Sequence, residues 1–99
     1  MEKLVYYKGQ YQNGTTAIEA VEAATGEPYA TVSVNLEGYG MLPKDENHIF
    51  VPTYNFSKEF LETLMEDLIK KVVREVPIGY GSGLEVELKD NWKEICQDL

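Results

Sequence analysis

The clearest hydrophobic pattern in the chain is "YATVSVNL", where Ala30, Val32, Val34 and Leu36 alternate with Tyr29, Thr31, Ser33 and Asn35. Strict alternation puts the apolar set on one face of a half-buried strand. "LEVELK" repeats it, with Leu84, Val86 and Leu88 set against Glu85, Glu87 and Lys89. Nearer the start, Asn13-Gly14 separates two further strand-like runs. A two-residue type I′ turn needs positive φ at both central positions, and Asn-Gly is the commonest way to supply it. Such a turn pairs Gly9 with Ile18 and Tyr7 with Ala20, and sets Lys8 against Glu19 as an opposite-charge pair. It predicts a core face of Val5, Tyr7, Tyr11, Thr16, Ile18 and Ala20. The other face, of Tyr6, Lys8, Gln10, Ala17, Glu19 and Val21, is mixed.

Helical spacing takes over after Ser57, a residue suited to N-capping. Phe60, Leu61, Leu64, Leu68, Val72 and Val76 recur at three- and four-residue steps. They predict a helix of roughly five turns, stopped by Pro77. Acids toward its start and bases toward its end complement the helix dipole, and Glu66–Lys70 and Asp67–Lys71 are spaced as i,i+4 pairs. "HIFVPTYN" reads as a strand that Pro52 confines to an edge or a strand end. "EGYGMLPKDEN" and "IGYGSG" read as loops. Asp90 is placed to cap a short final helix with Trp92, Ile95, Cys96 and Leu99 on one face. The order β-β-β-β-α-β predicts an α+β fold of one domain, residues 1–99. Its mostly antiparallel sheet carries one long helix on one face, with room for a short C-terminal helix.

Charge narrows the functions available. Nine basic and seventeen acidic side chains give a net charge of −8. Such a surface repels phosphates, so no direct nucleic-acid partner is expected. It suits either plain solubility or an acidic imitation of DNA. For the imitation, Glu19, Glu22, Glu85 and Glu87 on strands, with Glu59, Glu62 and Glu66 on the helix, are the available charges. The lone Cys96 excludes an internal disulfide and fits a reducing cytoplasm. No apolar run approaches the roughly 20 residues that span a bilayer, and no signal peptide is visible at the start. A cytoplasmic protein without a membrane partner is the expectation.

No catalytic constellation assembles from the residue spacing. His48 is the only histidine, and Asp45, Glu46 and His48 fall short of the four convergent ligands a structural metal needs. Cys96 sits on the apolar side of the final helix, which suits an inert thiol. "GYGSGL" misses the Gly-x-Ser-x-Gly elbow by one residue and lacks the Lys-Ser/Thr of a phosphate loop. Glu85 and Glu87, about 7 Å apart by strand rise, read as solubilising edge charges. No cofactor, no metal and no enzymatic activity are expected. Tyrosine is the abundant residue, seven in all. Its ring gives large amphipathic contact area and is enriched at interfaces. Tyr6, Tyr29, Tyr39, Tyr54 and Tyr80 fall on the mixed sheet face or in loops; of these Tyr6, Tyr29 and Tyr80, with Glu19, are the candidate interaction surface for a protein partner.

The run from Tyr11 to Leu36 carries a further signal. Asn13-Gly14, Ala17-Ile18, Thr25-Gly26-Glu27-Pro28-Tyr29-Ala30-Thr31 and Val34-Asn35-Leu36 resemble the pattern of an uncharacterised (domain-of-unknown-function) family of small acidic bacterial proteins. Members of that family are often encoded on conjugative and other mobile elements. "HIFVPTYN" and "GYGSGLEVEL" resemble its later strands. The resemblance implies a fold and a genomic setting, and no chemistry. Together these readings lead to a non-enzymatic protein-binding module of a bacterial mobile element. The alternative is an acidic DNA-mimic inhibitor of a host nucleic-acid enzyme.

Overall fold

The computed structural model of the chain describes residues 3–79 and 81–99. Within these residues seven strands form two sheets. β1 (Leu4–Gln10), β2 (Thr16–Glu22), β3 (Pro28–Thr31) and β7 (Gln97–Asp98) make the first, in the order β3-β2-β1-β7. β4 (His48–Val51), β5 (Ile69–Ile78) and β6 (Gly81–Leu88) make the second, in the order β4-β6-β5. Pairing is antiparallel except between β1 and β7. Helix α1 (Lys58–Asp67) lies between β4 and β5 in the chain, and α2 (Trp92–Ile95) precedes β7. The α+β class and the mostly antiparallel pairing agree with the sequence pattern.

The first hairpin does not keep its expected register. Gln10 pairs with Thr16, and Tyr6 pairs with Ala20. The Tyr11 N–H donates to the Thr15 carbonyl and the Gly14 N–H to the Tyr11 carbonyl, each at 2.9 Å. The loop therefore has three residues, Gln12-Asn13-Gly14, and Gly14 has φ 84° while Asn13 stays at negative φ. A type I turn closed by a left-handed glycine is the usual three-residue solution. Here Asn13 Oδ1 reinforces it by accepting from the Thr15 N–H and hydroxyl. A slip of one residue turns a whole strand over. Leu4 and Tyr6 consequently face the core with Ile18 and Ala20, while Val5 and Tyr7 turn away. Lys8 lies opposite Ile18, not Glu19. Its ammonium donates to the carbonyls of Lys93 and Cys96 and sits 3.1 Å from Asp98, tying the C-terminal segment to β1.

The predicted long helix is a helix followed by a strand. Ser57 caps α1 as expected, its hydroxyl accepting from the Phe60 N–H at 3.1 Å. Phe60, Leu64 and Leu68 form the buried stripe, but Val72 is 44% exposed because the chain has left the helix after Asp67. Residues 69–78 hold Ile69, Val72, Val73, Val76 and Ile78, β-branched side chains that fit a pleated surface better than a helix. They pair along β6, with irregularities between Ile69 and Lys71 and between Val72 and Arg74. Lys70 and Lys71 reach across to Glu87 instead of back to Glu66 and Asp67. At the C-terminus, Trp92 and Cys96 are buried as expected, but α2 is one turn long and Leu99 is exposed. Asp90 accepts from Lys70 rather than capping the helix.

The alternating stretch after Pro28 is strand only as far as Thr31. Ser33 ends it: its hydroxyl accepts from the Ile18 N–H at 2.9 Å, so a side chain occupies the next place on the ladder. The chain then changes partner, and the Val34 N–H donates to the Phe50 carbonyl of β4. One core is built from Leu4, Tyr6, Ile18, Ala20, Val32, Ile49, Val51, Phe60, Leu64, Val86 and Leu88, so both sheets and α1 share it. A second cluster, Leu36, Phe50, Val76 and Ile78, with Val34 and Met41 against it, covers the other side of the β4-β6-β5 sheet. β6 is thereby enclosed on both faces.

Candidate interaction surface

A groove opens where the chain leaves β2 for β4. It has a volume of about 650 Å³ and is lined by Tyr29, Thr31, Ser33, Tyr54, Phe56 and Phe60, among others. A β-bulge aims Tyr29 into it. Ala20 pairs with Ala30, but the next residue, Val21, pairs with Pro28, which leaves Tyr29 as the extra residue. Bulges bend the strand locally and redirect such a side chain. The Tyr29 ring consequently meets Phe60 of α1 at 5.1 Å between centroids and 54°, and Phe56 meets Phe60 edge-on at 4.8 Å. Also in the lining, Pro52 ends β4 and a single 3₁₀ turn, Thr53–Asn55, carries Tyr54. The Tyr54 ring rests over Gly81, where any Cβ would approach it to 3.2 Å. Tyr29 is 40% and Tyr54 56% exposed, so the groove offers two large rings to solvent.

Of the four residues expected on an interaction surface, Tyr29 stands in this groove. Glu19 is nearby, half-buried on β2 and paired with Thr31 of β3. Tyr80 lies outside the described residues. Tyr6 is a correction: it is 3% exposed, and its hydroxyl donates to Asp67 at 2.9 Å. Burial first, and then the Asp67 carboxylate, push its phenol well above the ordinary tyrosine range. The register slip is the cause. Tyr54, one of the tyrosines read from the sequence as lying on the mixed face or in loops, joins Tyr29 here, and Phe56 was missed, because no local pattern brings a turn after β4 beside β3; proline followed by aromatic residues was the only hint.

Glu85 and Glu87 are also corrected. They are not solubilising edge charges, since β6 is the central strand of its sheet. Glu85 is completely buried. Its Oε2 accepts from the Lys44 N–H at 3.0 Å and lies 2.7 Å from His48 Nδ1, while Oε1 accepts from Arg74 Nε at 2.7 Å. Burial alone would raise this carboxyl. The bonds from His48, Lys44 and Arg74, with the Arg74 charge, outweigh it and hold the group below the usual carboxylate range. Against an ionised Glu85, which only accepts, His48 Nδ1 must carry the proton. Glu87 is within 3.6 Å of both Lys70 and Lys71. Neither acid belongs to an outward row. Among the described residues, no buried side-chain nitrogen or oxygen lacks a partner.

Two other features complete the chemistry. A second cleft, also about 650 Å³, lies among the first hairpin, residues 43–48 and the C-terminal segment. Its lysines are already engaged, Lys8 with main-chain carbonyls and Lys93 with Glu46. Cys96 is buried, and burial pushes its thiol up to about 11 despite the Lys8 charge. Among the described residues no three His, Cys, Asp or Glu side chains gather as metal ligands, and no helix is long and apolar enough to cross a membrane. Compared with known proteins, the chain matches no family model, no curated protein and no solved structure.

Proposed function

We propose that the chain is a non-enzymatic binding module that captures a protein partner in the groove between Tyr29 and Tyr54. The observation that carries the reading is the pair of exposed rings, Tyr29 and Tyr54, lining one groove. Tyrosines held this way offer apolar area and a hydrogen-bonding tip at little cost in side-chain entropy. The ionisable groups in the interior suit structural roles instead: Glu85 clamps three donors and Cys96 stays a protonated thiol. The DNA-mimic alternative loses support, because Glu85 is interior and Glu87 is paired with lysines. A mobile-element setting belongs to the proposal through the resemblance of Tyr11–Leu36.

The test is a Tyr29→Ala, Tyr54→Ala double variant, used beside the unchanged protein as bait for partner capture. Truncating an aromatic anchor at an interface costs about 2 kcal/mol or more in binding, so capture should fall by at least tenfold. Tyr29 touches Phe60, so melting should drop by only several degrees, on the scale of about 4–8 °C per kcal/mol for a domain of this size. Equal capture by both baits would overturn the reading.

A further inference from the structure

We infer that β3 accepts a cationic extended peptide as an added strand, a mode of capture that rests on the binding-module reading above. The main chain supplies the first observation. The Val32 N–H donates to the Ile18 carbonyl, and Ala20 pairs with Ala30 two residues along. Antiparallel ladders alternate bonded and non-bonded pairs. Ala30 therefore bonds toward β2, and the N–H and C=O of Thr31 point away from it, along the groove side of the edge. β3 is an outermost strand, so an incoming strand can take up both groups.

Side chains set the pattern such a strand needs. Thr31 shares the outer face with its pair Glu19, whereas Ala30 points inward with Ala20. A residue bonded to Thr31 projects its side chain on that outer face, and its neighbours project toward Tyr29, Phe60 and Tyr54. Charge then selects the outer residues. From Gly9 to Pro43 the chain carries Glu19, Glu22, Glu27 and Glu37 and no lysine or arginine. Glu19 sits two strand spacings from the added strand, roughly 10 Å, which an arginine and a glutamate can span together. Lys58, at the start of α1, is the cation nearest in sequence to the groove-lining residues. The fitting partner alternates basic and apolar residues. Pro28 and the bulge at Tyr29 keep the edge short, which guards against indiscriminate pairing, and a net charge of −8 opposes pairing with a second copy.

The probe is an acetylated, amidated heptapeptide of alternating arginine and valine, added to the isotope-labelled full chain and followed by nuclear magnetic resonance. The expected result is shifted Tyr29 and Tyr54 resonances and at least tenfold slower hydrogen exchange at the Thr31 amide. N-methylation of the arginines, which point their N–H groups at Thr31, should weaken binding at least tenfold, and N-methylation of the valines should not. Thr31→Pro removes the outward N–H while keeping the bonds of Ala30 to β2. Proline is tolerated on edge strands, so this variant should lose the peptide in the same proportion; if it does not fold, the methylated peptides decide. Shifts at Tyr29 and Tyr54 without protection of Thr31 would overturn strand addition and leave the groove as the binding surface. Equal binding of a glutamate–valine peptide would overturn the charge preference. No response to any peptide up to about 1 mM would overturn the inference as a whole. The bait experiment would then still decide the binding-module reading separately.

Discussion

Tyr6 shows how far one residue's role depends on its strand's register. In the sequence it is one of seven tyrosines, set by the expected register on the mixed face with Lys8 and Glu19, and its ring reads as a surface group. In the structure it is a core residue with a hydroxyl bonded to Asp67 at the end of α1. The two roles make opposite predictions. Truncating a buried aromatic leaves a cavity, and Tyr6→Ala should cost roughly 3–5 kcal/mol, as for other aromatic cores. Tyr6→Phe keeps the ring and removes one hydrogen bond to a carboxylate, costing about 1.5–3 kcal/mol. Denaturant midpoints of the two variants check both values; an unchanged midpoint for Tyr6→Ala would return Tyr6 to the surface. Tyr29 is different. Its exposure was legible from position, but the bulge that turns it toward Phe60 was not, because a bulge is a mismatch between two strands.

At the scale of elements, the periodic signals identified which segments are ordered better than where each ends. Ser57 marked the start of α1 because capping is local: one hydroxyl and one N–H three residues on. The end of α1 is decided elsewhere. Leu68, Val72 and Val76 keep helical spacing, but Ile69, Val72, Val73, Val76 and Ile78 are β-branched, and β6 settles the conflict by offering a long antiparallel partner. Gly83 belongs to that partner strand. A Cβ there would lie 2.5 Å from the Val51 carbonyl oxygen of β4 and 2.5 Å from Ile78 of β5. Main chain cannot yield as a flexible side-chain tip can. Gly83→Ala should therefore destabilise the protein by about 1–3 kcal/mol, the usual cost of overpacking, measured as a lowered urea midpoint. A neutral result would mean that β4 and β6 are less closely packed than they are here.

Across the whole molecule, Glu85 joins β6 to β4 through His48, to β5 through Arg74, and to the connection before β4 through Lys44. Its carboxyl titrates lower in the folded chain than in the unfolded one. The stability it adds is therefore complete above the unfolded value, about 4.3, and is lost as pH falls through the folded value. Urea midpoints should decline with acidification below about pH 5. Glu85→Gln should be less stable at pH 7 and should show a flatter acid limb, so that the two proteins converge at low pH. Parallel curves would mean that other carboxylates control the acid response.

The α+β class, the buried face of β2, the burial of Val86 and Leu88, the cap of α1, the burial of Trp92 and Cys96, and the acidic character were legible in the sequence. Each of these follows from residue type and local period. Tertiary structure alone decided the hairpin register, where a three-residue loop replaced a two-residue one. It also decided the division of residues 57–78 into helix and strand, the second sheet, and the groove between Tyr29 and Tyr54. The reason is physical. A period states which side chains share a face, but the choice of partner for that face is made by segments distant in the chain. Glu85 is the sharpest instance: its alternation with Val86 reads as solvent-facing until residues 34–41 cover the second face of the sheet.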